Sequence, residues 1–227
     1  GQTLTLGVGS NVDATSDIEA VDSSCLAASG TTQQFSGRNL GSGSKISIVS
    51  ISWADTTAAG TAEITAVSIA GVSAALATRA AGDNQNSNAE IWYLSTTSAT
   101  GDIDLTFSTA VDRVTIQVYR LINFSGSSPT ATTTGTTSVS LTLAQRGVGI
   151  AVATRSDATD TNLSSLTENY SFSCGSGQWG VHSSRQVNQS TAITSTISPT
   201  SNTPLIAFAA WQPQCSAPSC DPYFAST

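Results

Sequence analysis

The chain is poor in charge. Of its 227 residues, 8 are Lys or Arg and 15 are Asp or Glu, so charged residues make up 10% and the formal net charge is −7, against roughly a quarter charged in ordinary soluble domains. With so few cations and no basic run, there is little to release counterions from a phosphate backbone, which excludes a nucleic-acid binder. The same shortage argues against an anionic membrane surface, and no stretch approaches the ~20 consecutive apolar residues of a membrane-spanning helix. The first residues, GQTLTL, carry neither the charged nor the apolar region of a secretory signal, so no targeting signal assigns a compartment. Methionine is absent and His182 is the only histidine. One histidine limits every Ser–His–Asp arrangement, and no G-x-S-x-G elbow is present. Repeated βαβ units are missing too, which excludes a parallel-sheet enzyme fold.

Cysteine is scarce but even in number: Cys25, Cys174, Cys215 and Cys220. Cys215 and Cys220 sit close together in the Pro-rich tail QPQCSAPSCDP, where a local disulfide is expected if the protein matures in an oxidising place. Paired CxxC knuckles are lacking, so no metal site is assigned, and no cofactor is implied.

What is present is Ser, Thr and alternation. Thr suits a pleated, half-buried strand. In GDIDLTFS, Ile103, Leu105 and Phe107 point one way while Asp102, Asp104 and Thr106 point the other. Lys45 to Trp53 places Ile46 and Ile48 on one face and Val49, Ile51 and Trp53 on the other, which implies a bulge or a strand buried on both sides. Thr61–Ile69 and Val72–Leu76 flank Ala70-Gly71 as a hairpin. Further strands are expected at Ile91–Leu94, over residues 114–118, at Val139–Leu143, in the apolar run GVGIAVAT (147–154), and at 170–174, 178–185, 192–197 and 205–211. The one helix-like stretch, residues 16–28, has poor periodicity. Residues 125–138, SGSSPTATTTGTTS, form a low-complexity connection on the surface. Many short strands between Gly, Asn and Ser turns predict an all-β fold: a single antiparallel, jelly-roll-like β-sandwich with long loops over residues 1–211, followed by an irregular Pro/Cys-containing tail over 212–227.

Several residues invite chemistry. Asp102 and Asp104 lie roughly 7 Å apart on one strand face, a spacing that suits two carboxylates across a sugar bond, but the same parity belongs to any solvent-facing strand. The scaffold reading is the stronger one. SCGSGQW (173–179) lacks the second cysteine of the papain-type signature, and His182 is too near in sequence to serve it; a histidine here is expected in solvent. DNQNSNAE (83–90) offers oxygen ligands for calcium but only Asp83 and Glu90 as carboxylates, and turn chemistry explains it equally well. Four N-x-Ser/Thr sequons occur, at Asn123, Asn162, Asn169 and Asn188. Trp53, Trp92, Trp179 and Trp211 fall in or beside strands and suit core packing. Tyr93 and Tyr119 are the tyrosines expected at the surface, and Tyr93 and Trp179 are the candidate ligand contacts. Tyr223 and Phe224, in the tail, are candidates for docking on a neighbouring subunit.

The series FSGRNLGSGSKISIVSISW, ITAVSIAGVSAAL, AEIWYL, GDIDLTFSTAVDRVTIQVYRL and LSSLTENY, spanning Phe35 to Tyr170, resembles a family of β-rich virion proteins of tailed bacteriophages and prophages, decoration- or fibre-like. The shared positions are Gly71, Val72, Trp92, Phe107, Tyr119 and Leu121, all core and turn residues, so the resemblance transfers a scaffold and no catalytic residue. It implies a non-enzymatic structural component of a virion surface: a capsid decoration (cement) protein or a head or tail fibre protein. Such a chain is made in the host cytoplasm, sits on the extracellular particle, and binds other virion proteins as a homo-oligomer. The alternative is a carbohydrate-binding or adhesion module for host surface glycans.

Overall fold

The computed structural model describes residues 17–54, 62–81, 87–124, 126, 128–155, 162–175, 179–198 and 204–213, with Trp179 described in its backbone only. Seventeen strands and no helix occur among them. In the first half these are β1 (Asp17–Leu26), β2 (Gly30–Asn39), β3 (Lys45–Ala54), β4 (Ile64–Ile69), β5 (Val72–Ser73), β6 (Ala75–Ala81), β7 (Ser87–Thr96), β8 (Thr100–Val111) and β9 (Arg113–Ile122). The second half holds β10 (Ala131–Gly135), β11 (Ser138–Leu143), β12 (Val148–Arg155), β13 (Asn162–Leu163), β14 (Thr167–Ser173), β15 (Trp179–Gln186), β16 (Thr191–Ser198) and β17 (Leu205–Trp211).

They form four antiparallel sheets, and no sheet draws strands from both halves. The first half makes a five-stranded sheet, β1-β9-β3-β7-β6, and a four-stranded sheet, β2-β8-β4-β5; the second half makes a five-stranded sheet, β10-β17-β12-β15-β14, and a three-stranded sheet, β11-β16-β13. Each half is a β-sandwich. The two five-stranded sheets then face each other, giving four layers and three apolar interfaces. Val49, Ile51, Trp53, Ile103, Leu105 and Phe107 fill the first sandwich. Val139, Ala151, Val181, Ile193 and Phe208 fill the second. Ile46, Ile48, Ile91, Tyr119 and Leu121 meet Val148, Ile150, Val152, Ala207 and Trp211 between the sandwiches.

This layering explains the strands that are apolar throughout. β3, β12 and β17 are buried along their whole length because each is covered on both faces. β3 pairs with β7 and β9 without a register shift, so its change of apolar face at Ile48/Val49 is two-sided burial rather than a bulge. β8 alternates as expected, with Ile103, Leu105 and Phe107 buried. Ala70 (φ 51°) and Gly71 (φ 77°) form the left-handed two-residue turn of the β4–β5 hairpin. Past Ala74 the chain leaves that sheet, and β6 pairs with β7 in the five-stranded one.

Two expectations need correction. The helix-like stretch is strand β1, which runs beside β9 along its length; a register shift between Ala20 and Asp22 breaks its alternation and hides the strand period. The low-complexity connection contains β10, an edge strand paired with β17 from Ala131 to Gly135. It lies where the chain passes from one sandwich to the other. Residues 214–227 lie outside the described residues, and with them Cys215, Cys220, Tyr223 and Phe224. The disulfide that is described joins Cys25 to Cys174, 149 residues apart in sequence, and so ties the first sandwich to the second.

Candidate functional site

Polar chemistry gathers at three places. The first is the outer face of the four-stranded sheet. Asp104 accepts hydrogen bonds from Gln34 Nε2 (2.7 Å) on β2 and Ser68 Oγ (3.0 Å) on β4, so its carboxylate spans three strands. Asp102 Oδ1 accepts from the Gly37 amide at 2.7 Å. Both aspartates are half-buried, and each is held by its neighbours rather than merely bathed in water. Cross-strand polar pairs of this kind stabilise a sheet by a few tenths to about 1 kcal/mol each. The bonds of Asp104 tie β2, β8 and β4 to one another across this face.

The second place is Glu90. It is not part of a calcium loop: it sits on β7, with none of its surface exposed. Trp92 Nε1 donates to Oε2 at 2.8 Å and Trp53 Nε1 to Oε1 at 3.3 Å. Arg79, its cross-strand partner on β6, donates from Nη2 to Oε2 at 3.2 Å, and its Nε lies 3.1 Å from Oε1, off the hydrogen-bond line. Arg79 also reaches Glu63 Oε2 (3.3 Å) and the Ile64 carbonyl, which ties the two sheets of the sandwich together. Burial pushes the Glu90 carboxyl up from its ordinary value; Arg79 and the two indoles oppose the shift. Asp83 lies outside the described residues.

The third place is the seam between the sandwiches. Facing the second sandwich, β3 and β9 present paired rows: Ile46/Leu121, Ile48/Tyr119, Ser50/Gln117 and Ser52/Thr115. One end of the seam is apolar and the other polar. His182, on β15, enters the polar end and is wholly buried, which corrects the expectation that it lies in solvent. Its Nδ1 is 2.7 Å from Ser50 Oγ and its Nε2 is 3.0 Å from Thr115 Oγ1. A neutral ring is satisfied if Ser50 donates to Nδ1, while Nε2–H donates to Thr115, whose own hydroxyl donates to the Ser52 carbonyl at 3.4 Å. Burial lowers the imidazole to about 3. Gly180 makes the close approach possible: a Cβ there would lie 2.3 Å from Thr115 Oγ1. A serine hydroxyl 2.7 Å from an imidazole has the reach of a nucleophile and its base, yet Ser50 and His182 both have no exposed surface. Their chemistry is structural: two hydroxyls of one sandwich grip the imidazole of the other.

The predicted ligand contacts fare differently from one another. Tyr93 is half-buried, packs edge-on against Trp211 at 6.4 Å, and donates from its hydroxyl to Ser128 Oγ at 3.1 Å. Trp179 begins β15, but its side chain lies outside the described residues. Tyr119, expected at the surface, is fully buried, and desolvation raises its phenol. Trp53, Trp92 and Trp211 are core residues. A surface feature that the sequence did not single out is the edge strand β14. There Phe172 is 46% exposed and stacks on Tyr170 at 5.9 Å. Nearby, Ile18 of β1 joins Thr167, Asn169, Ser184, Arg185 and Gln186 around a cleft of about 500 Å³ where the two sandwiches meet. No family model, curated protein or solved structure matches the chain.

Proposed function

We propose that the chain is a structural component of a bacteriophage virion surface, a capsid decoration or head or tail fibre protein that acts by protein–protein binding. Within each sandwich the strand order, β1-β9-β3-β7 over β2-β8-β4-β5 in the first, supports a jelly-roll wrapping, an architecture common in capsid proteins. The observation that carries the reading is the outer face of the three-stranded sheet. Ser138, Ser140, Thr142, Thr194, Thr196 and Ser198 are all exposed on it, with Ser140 and Thr194 hydroxyls 3.1 Å apart. Short hydroxyl side chains on a rigid sheet lose little conformational entropy on docking, so a broad contact retains more of its gross interaction energy. The disulfide and three stacked cores hold these faces fixed, as survival outside a cell demands. Homo-oligomerisation and contact with capsid or tail neighbours belong to the same proposal.

The test is to purify intact particles that encode the chain and locate it in a cryo-electron-microscopy map. Density for four stacked sheets on the head or tail surface is the expected result; absence of the chain from purified particles overturns the reading. A second reading, a host-glycan-binding module, draws on the cleft at β1 and β14, lined by amide and hydroxyl groups, and on the exposed Phe172 of the same edge strand. Glycan binding lost on Phe172→Ala and retained on Tyr93→Phe would favour it.

A further inference from the structure

The two sandwiches are one fold used twice. If β1, β2, β3, β4, β6, β7, β8 and β9 are matched in order to β10 through β17, both five-stranded sheets have the same strand order, and so do β2-β8-β4 and β11-β16-β13. The match extends to single residues. A row across the first large sheet runs Leu76, Trp92, Val49, Val118; its counterpart across the second runs Glu168, Ser183, Ala151, Phe208. In both sheets the next residue of the edge strand is a bulge: the register slips between Leu76 and Thr78 in β6 and between Glu168 and Tyr170 in β14. A bulge at one matched position in two edge strands is hard to obtain by chance, because bulges are specific local features. Several features depart from the match: β5 has no counterpart among the described residues, and the register shifts of the β1–β9, β2–β8 and β4–β8 pairings are not repeated in β10–β17, β11–β16 and β13–β16.

The seam carries the reciprocity of a two-fold axis. β6 lies against β10 and β17, and its counterpart β14 lies against β1 and β9, the counterparts of those strands. β7 lies against β17, and β15 against β9; β3 lies against its own counterpart, β12. An interface in which each element meets the partner of its own partner is isologous, the type that joins identical subunits.

We propose that the seam is a self-association surface, that the chain is a covalently joined pseudo-dimer, and that the partner this surface fits in trans is a second copy of the chain, reached by exchange of sandwiches. The strands themselves make most of the seam; from the connection between Ile122 and Ala131, Phe124 packs into it. Beyond that contact, the connection sets the effective concentration at which the halves meet. Residues 123–130 and the Cys25–Cys174 bridge keep the pairing within one chain; when the bridge is absent, two chains form the same seam twice, each giving one sandwich to the other.

The bridge itself reports the exchange. Full-length Cys25→Ser and Cys174→Ser variants are given different tags, refolded together and oxidised. Neither variant can close the bridge alone, but an exchanged pair sets Cys25 of one chain against Cys174 of the other. The expected result is a covalent heterodimer on a non-reducing gel, mapped to Cys25–Cys174, whose yield rises with protein concentration during refolding and which is missing when either variant is refolded alone. Folded monomers without that bridge overturn the proposal. If the variants do not fold, wild-type protein carrying a protease site after Gly126 decides. Cut and reduced, it should keep its full mass by native mass spectrometry at micromolar concentration; separation into two halves overturns the proposal.

Discussion

Acid should attack this protein at one identifiable point, the seam histidine. Free in the unfolded chain, an imidazole titrates near 6.5; in the seam, burial holds His182 at about 3. The native state therefore favours the neutral ring, and the unfolded state binds the extra proton. Stability from this group is complete above pH 6.5 and is lost as pH falls towards 3. A tenfold difference in proton affinity between the two states is worth about 1.36 kcal/mol, so the full loss is roughly 5 kcal/mol, of which about half is reached by pH 4.5. The ring is wholly buried, so solvent does not screen this effect. Glu90 works the other way. Its raised carboxyl favours protonation in the fold, so its contribution grows as pH falls and masks part of the histidine's loss. The assay must therefore be differential: urea unfolding at pH 4.5 to 8 for wild type and for His182→Gln, whose amide can still donate and accept between Ser50 and Thr115. The stability difference, wild type minus variant, should fall by about 2 to 3 kcal/mol from pH 7.5 to pH 4.5. Parallel profiles for the two proteins would refute the buried, neutral assignment.

Three further perturbations have magnitudes set by the fold. Replacing both Cys25 and Cys174 with Ser removes a cross-link that spans 149 residues and should cost about 5 kcal/mol by loop-closure entropy, read as a lower urea midpoint that reducing agent does not lower further. Arg79→Met leaves the Glu90 carboxylate buried with only the two indole donors; a loss of about 3 to 5 kcal/mol in chemical unfolding is expected, with partial recovery at acid pH as Glu90 takes up a proton. Gly180→Ala places a methyl 2.3 Å from Thr115 Oγ1 and 3.1 Å from Ser52 Cβ; overpacking of the seam should cost about 1 to 3 kcal/mol by thermal or chemical denaturation, and an unchanged midpoint would show that the sheets separate more easily than their packing implies.

The strands were legible wherever burial was one-sided or complete. Ile103, Leu105 and Phe107 alternate with polar neighbours because β8 has one wet face, and Leu205–Trp211 is uniformly apolar because β17 has none. Legibility ended where a residue's surroundings come from distant chain. His182 is flanked by Ser183 and Ser184 and looked like surface; only the docking of β15 onto Ser50 and Thr115 buries it. Glu90 looked like the end of an acidic loop, and two tryptophans and an arginine from three strands make it interior. Cys25 gave no sign of its partner, since the pairing depends on how one sandwich lies on the other. The repetition of the fold was equally hidden. Matched positions keep their burial but not their side chains: Trp53 corresponds to Arg155, both buried, and Ile91 to His182.

The unlike ends of the seam divide two tasks between them. The apolar end, around Ile46, Ile48 and Leu121 opposite Val148 and Trp211, supplies attraction, but flat aliphatic sheets tolerate sliding because such contact has no direction. The polar end has direction. Moved by one residue along its strand, His182 would point into the other sandwich core; moved by one residue pair, it would lose Ser50 and Thr115 and leave both buried ring nitrogens without those partners, at roughly 1 to 3 kcal/mol each. Two copies of a single sandwich joined by a symmetric seam would hold that polar cluster twice or not at all. Here one half supplies the hydroxyls and the other the imidazole. On the proposed pseudo-dimer the seam therefore prefers unlike halves, so that exchange between chains keeps first sandwich against second.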